Sequence, residues 1–152
     1  MRIEGHAVAV DAPRGWEAKM FRPPGTEPTL HLANFPLPPK DGDYGAGALS
    51  TMGPTGVFAV LTEFDPALAT EPLFAQTGLP VPIAAEDLSP KALQHRVPGQ
   101  AGLQRFFNVH GRAFCLYVVV GTQPSVEDLV QTLNAVLAGI RIGPRAPVDG
   151  SR

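Results

Sequence analysis

The chain has 152 residues, the span of one domain on the usual scale of about 100–200, and its 44% hydrophobic content supplies a core without disulfide staples. Twelve basic residues against fourteen acidic ones give a net charge of −2, and the basic ones are scattered; this excludes the Lys/Arg stripe with which nucleic-acid binders neutralise phosphates. Cys115 is the single cysteine, which excludes an internal disulfide, and the longest apolar run, Ala113–Gly121, falls well short of the roughly 18 residues of a membrane span.

From the N-terminus, glutamate and histidine interrupt "MRIEGHAVAVDAPRGW", so no secretory h-region is legible. With one cysteine besides, a cytoplasmic location is expected. "HAVAV" (6–10) alternates as a strand, "DAPRG" (11–15) is a turn, and "WEAKMFR" (16–22) reads as the returning strand of a meander. "TLHLANF" (29–35) and "VFAVLTEF" (57–64) are the third and fourth strands, the latter rich in branched and aromatic residues.

Between Asp65 and Gln100 the pattern loosens into short helical pieces. Ser89 before Pro90 marks one N-terminus, and a further turn or two ends at Gly78. The 16 glycines and 17 prolines cluster between apolar segments, as punctuation in a loop-rich fold.

"LQRFFNVHGRAFCLYVVV" reads as two strands joined at His110-Gly111. Pairing Val109 with Arg112 sets Phe107 opposite Phe114, Arg105 opposite Leu116 and Leu103 opposite Val118, and the second strand is apolar on both faces, hence central. "SVEDLVQTLNAVLAGI" carries one apolar stripe, Val126, Leu129, Val130, Leu133, Val136, Leu137 and Ile140, capped by Ser125 and ended by Gly139. The sum is an α+β domain over 1–143: a mainly antiparallel twisted sheet, a C-terminal amphipathic helix packed on it, and short helices in the middle. Residues 144–152 read as a loose tail.

In "FPLPPKDGDYG" (35–45), Asp41 and Asp43 bracket a glycine and offer two oxygen ligands, but no later acidic residue continues an EF-hand loop and Lys40 repels a cation. A turn is the expectation there. Pro36 to Lys40 holds a P-x-x-P spacing followed by a basic residue, the pattern of a stiff polyproline connection or docking segment. His6, His31, His95 and His110 show no ligand spacing, with His31 read as facing outward from its strand. Cys115 lies four residues along the strand from the His110 turn, roughly 13 Å at 3.3 Å per residue, so a buried inert thiol is expected. No phosphate cradle or nucleophile elbow is spelled out; "GALSTMG" (47–53) has the wrong spacing for one. Arg105 falls on the helix-facing side of the hairpin and must pair with a carboxylate, reach the sheet edge or hold an anion, with Glu63, Glu127 and Asp128 as candidate partners.

"VAVDAPRGW", from Val8 to Trp16, resembles the strand, turn and P-x-G-W opening of the Mog1/PsbP-like α/β sandwiches, and "FCLYVVVG" with the helix from Ser125 to Ile140 is similar to their close. The likeness covers the two ends of the chain. It implies a non-enzymatic accessory or binding role; bacterial members are often exported, and this chain departs from them in showing no export signal.

Two functions follow. The first is a non-catalytic accessory module presenting its long Pro/Gly-rich loops, Pro36–Gly56 and the Asp65–Gln100 region, to a protein partner. The alternative is a small-ligand binder or enzyme with a pocket between the sheet and the middle loops. Candidate ligand- or partner-binding residues are Pro36, Pro39, Lys40, Asp41, Asp43, Tyr44 and Arg105, with no catalytic residue, metal ligand or cofactor assigned. A pocket on which ionisable side chains converge would favour the second function, an exposed apolar patch the first.

Overall fold

His6 and Ala7 turn the chain back on itself at φ values of 52° and 58°, closing a two-residue hairpin between β1 (Arg2–Gly5) and β2 (Val8–Asp11). The computed structural model to which these strands belong describes residues 2–38, 46–94, 98–121 and 126–145. A second sheet is built from β3 (Glu17–Phe21), β4 (Thr29–Ala33), β5 (Val57–Phe64), β6 (Ala101–Val109) and β7 (Arg112–Val120), all antiparallel, in the order β3-β4-β5-β7-β6. The last strand, β8 (Ile140–Ile142), returns to the first sheet and pairs with β2, giving the order β1-β2-β8.

The expected meander from β2 to β3 is therefore corrected: the two strands belong to different sheets. Ala12 and Trp16, 3% and 9% exposed, anchor the connection by burial in the core, and this holds the crossing where a hairpin ladder would otherwise do so. The β6–β7 hairpin has the register read from sequence, Val109 with Arg112, Phe107 with Phe114, Arg105 with Leu116 and Leu103 with Val118. His110 and Gly111 both take positive φ in its turn, and β7 is buried along its whole length.

Strand alternation sorts the large sheet into two apolar faces. On the inner face Leu30, Leu32, Leu61, Phe114, Leu116 and Val118 pack against Leu129, Leu133, Val136 and Leu137 of α2 (Val126–Leu137), and against Val8, Val10 and Ile140 of the small sheet. The outer face carries Ala33, Phe58, Val60, Tyr117 and Val119 under Ala48 and Leu49 of α1 (Ala46–Thr51). Tyr117 is buried with its hydroxyl satisfied, accepting from the Gln94 N–H at 2.7 Å.

Gly139 ends α2 as expected, its N–H donating to Val136 O, while the Ser125 cap lies outside the described residues. Ile140 leaves the helical stripe to open β8. A Cβ on Gly139 would sit 2.9 Å from Asp11 O, so glycine permits the close approach that docks the chain beside β2. Among its described residues the middle region forms four short 3-10 segments, Pro66–Thr70, Pro72–Phe74, Ala85–Asp87 and Pro90–Ala92. Ser89 caps the last by accepting from Lys91 N–H at 3.1 Å. Asn134 on α2 pins the segment from behind, exchanging two hydrogen bonds with the Ile83 backbone. Among the described residues no helix is long and apolar enough to cross a membrane.

Candidate functional site

Glu63, near the end of β5, and Arg112, the first residue of β7, both alternate onto the inner face, and Glu63 stands opposite Phe114, two residues from Arg112. Their side chains are 1% and 2% exposed. Arg112 Nε donates to Glu63 Oε2 at 3.0 Å and Nη2 to Oε1 at 2.7 Å, a bidentate pair. Its remaining donors reach three backbone carbonyls: Nη2 to His6 O at 2.8 Å, Nη1 to Gly143 O at 2.8 Å and Nη1 to Ala7 O at 3.3 Å. All five guanidinium N–H groups are thus engaged, which is what makes burying the charge tolerable. One side chain thereby ties the large sheet to both the first hairpin turn and the segment after β8.

Arg145 extends this pair outward. Its Nη2 donates at 2.8 Å to both Glu63 Oε2 and Glu27 Oε1, so Glu63 is shared between two guanidinium groups. The hydrogen bond to Glu27, reinforced by the nearby Glu63 and Asp65 charges, holds the Arg145 guanidinium above its ordinary range. Arg22 approaches the other Glu27 oxygen at 4.0 Å and donates from Nε to Thr26 O at 2.8 Å, and Thr26 Oγ1 donates to Pro23 O at 2.7 Å. The β3–β4 connection is shaped by these contacts.

His6, Arg22, Glu27, Glu63, Arg112 and Arg145 line a cleft of about 360 Å³. A second groove of about 350 Å³ shares Glu27 and Glu63 with the cleft and is walled further by Thr26, Thr29, Thr62 and Asp65. A void of about 10 Å³ among Val8, Met20, Leu61 and Phe114 has no room for a ligand.

Of the candidate binding residues singled out in the sequence, Pro36 and Arg105 lie outside the cleft. Pro36 is exposed after β4, where its neighbours are tied to the β3 edge: Leu37 N–H donates to Glu17 Oε1 at 2.8 Å and Lys19 Nζ to Pro38 O at 3.0 Å. Pro39, Lys40, Asp41, Asp43 and Tyr44 lie outside the described residues, as does His95. Arg105 pairs with none of Glu63, Glu127 and Asp128. Its Nη2 lies 3.6 Å from Asp87 Oδ2, because β6 is the sheet edge and Ser89, two residues after Asp87, bridges to Gly102 on it. His31 does not face solvent: it is 1% exposed on the outer face, edge-on to Phe21 and Phe58 at 4.9 and 5.3 Å. Phe21 and Phe58 cover what alternation alone left open.

Cys115 is buried, and desolvation pushes its thiol up to about 12, against a smaller opposing hydrogen bond to the Arg105 backbone. Among the described residues no three His, Cys, Asp or Glu side chains are grouped so as to hold a metal.

Sequence reasoning did not find the Arg112–Glu63–Arg145–Glu27 network. Its signal was there in part: alternation places Glu63 and Arg112 on an otherwise apolar face, and two opposite charges on one such face are a buried-pair signature. Arg145 gives no such signal, since it sits in the stretch whose composition reads as tail. Comparison with known proteins finds no matching family model, no matching curated protein and no matching solved structure.

Proposed function

We propose that the chain is a non-catalytic small-ligand-binding module whose site is the cleft walled by His6, Arg22, Glu27 and Arg145. One observation carries this reading: charged side chains from the β3–β4 connection, the large sheet and the segment after β8 converge, together with His6 of the first hairpin turn, on a single concavity. Its volume of about 360 Å³ falls within the range of roughly 300–1,000 Å³ typical of small-molecule sites. Ion pairs among these groups hold the rim in shape, an arrangement suited to recognition. The accessory role implied by the likeness to the Mog1/PsbP-like sandwiches is compatible with ligand capture.

The test is amide NMR with a panel of small neutral, cationic and anionic compounds. Saturable shifts concentrated at Thr26, Glu27 and Gly143 support the reading. Saturable binding that maps only to the 65–94 segment, or no binding by any class, overturns it.

A partner-docking role has one observation of its own. Leu68, Leu73 and Val81, at 36%, 59% and 37% exposure, stand on the middle segment as large apolar side chains in solvent. Under that reading, cross-linking in native extract should give a discrete adduct that Leu73→Ser removes, and an adduct indifferent to that substitution would count against it.

A further inference from the structure

The charge in the cleft is unbalanced. Arg22, Arg112 and Arg145 face Glu27 and Glu63, so among the described walls one positive charge is in excess. Arg112 has no donor left to offer, all of its N–H groups being turned inward onto Glu63 and three carbonyls. The excess therefore resides on the two outer guanidinium groups, with 52% and 38% of the Arg22 and Arg145 side chains exposed. These two flank the opposite oxygens of one carboxylate, Glu27. Among the described residues Arg145 is held through Nη2 alone, which leaves its Nε and Nη1 edge available, and Arg22 is held through Nε.

We infer that the cleft takes a small oxyanion, a carboxylate or a phosphate, gripped between the available edges of Arg22 and Arg145. The inference rests on the cleft being the ligand site. Planar guanidinium forks bind carboxylate and phosphate oxygens in pairs, and a site whose described walls carry one more positive than negative charge favours an anion over a cation. The neighbouring groove sets the anion's position. Glu27, Glu63 and Asp65 line it with no described basic side chain among its walls, so an anion is disfavoured there and held to the cleft that Arg22 and Arg145 line.

The experiment uses the full chain at constant ionic strength, with succinate and inorganic phosphate as oxyanion probes, choline as the cation and glycerol as the neutral control. Titration calorimetry and amide NMR read the outcome. Saturable binding of at least one oxyanion is expected, weakened about tenfold or more by Arg22→Gln, since a charge-assisted hydrogen bond is lost. Arg105→Gln, an equally charge-removing change at a half-exposed arginine outside the cleft, should leave the affinity unchanged. Which probe binds decides between the carboxylate and phosphate sources. Equal weakening by the two variants would reduce the effect to general screening and overturn the inference. If choline or glycerol binds in the cleft and neither oxyanion does, the inference fails while the site stands; if nothing binds there, both fail.

Discussion

Arg112 shows how a buried charge becomes structural. Its guanidinium joins Glu63 to the carbonyls of His6, Ala7 and Gly143, groups drawn from both sheets. Arg112→Met would leave Glu63 buried with Arg145 as its remaining partner and strip three carbonyls of a donor, so a loss of about 3–5 kcal/mol is expected in urea unfolding. Replacing Glu63 by Leu in the same chain should recover part of that loss, because the stranded carboxylate is then gone. This pair was half legible in the sequence: alternation reveals that both charges face inward, but which carbonyls complete the guanidinium's shell depends on the other sheet, which no local pattern reports. Cys115 makes a residue-scale prediction of a different kind. Burial raises its thiol from an ordinary 9.0 to about 12, so above pH 9 the unfolded chain has given up a proton that the folded chain retains. Stability from this group is complete below pH 9 and drains away as pH rises toward 12. Unfolding midpoints measured from pH 8 to 11 should fall more steeply for the native chain than for Cys115→Ala, and native Cys115 should resist alkylation at pH 8.

At the scale of elements, the two hairpins explain which strands the sequence displays and which it hides. His110-Gly111 advertises its turn with a glycine in the left-handed region, at φ 70°, and the β6–β7 register follows residue by residue. His6-Ala7 makes the same kind of turn with no glycine or asparagine, so β1 is invisible and His6 reads as the start of a strand. β8 is hidden for another reason. Ile140 sits three and four residues after Leu137 and Val136, continuing the helical period, and only tertiary contact of Gly139 with Asp11 takes it out of α2. The left-handed Ala7 also carries a cost: about 1–2 kcal/mol for a residue with a Cβ, offset in a glycine by about 0.4–1 kcal/mol of extra unfolded-state entropy. Ala7→Gly should therefore stabilise the chain by about 0.5–1 kcal/mol, read from the urea midpoint with an unchanged slope. A destabilised variant would mean that the alanine side chain packs more productively than its half-buried position indicates.

At the scale of the molecule, the topology makes the two ends of the chain interdependent. β2 is completed by β8 across nearly the full sequence, and the segment just beyond β8 supplies Gly143 O to Arg112 and the Arg145 guanidinium to Glu27 and Glu63. Neither the small sheet nor the cleft exists until the C-terminal segment arrives. Truncation after Ala138 would remove Ile140, 5% exposed, at about 1.5–3 kcal/mol for a buried side chain, expose Val8 and Val10 beside it, and leave the inward-turned guanidinium lacking an acceptor at about 1–3 kcal/mol. Set against the roughly 5–15 kcal/mol by which domains of this size are stable, those losses are a large share of the whole. The truncated chain should lose near-UV circular dichroism and amide dispersion together, as one cooperative unit. A fragment that instead kept the β3-β4-β5-β7-β6 sheet intact, with dispersed resonances for Leu61, Leu116 and Val118, would show that the large sheet and α2 fold by themselves and that the small sheet is an addition serving the cleft. In that event the Arg112–Glu63 pair would be retained for the site it builds, its contribution to folding being dispensable.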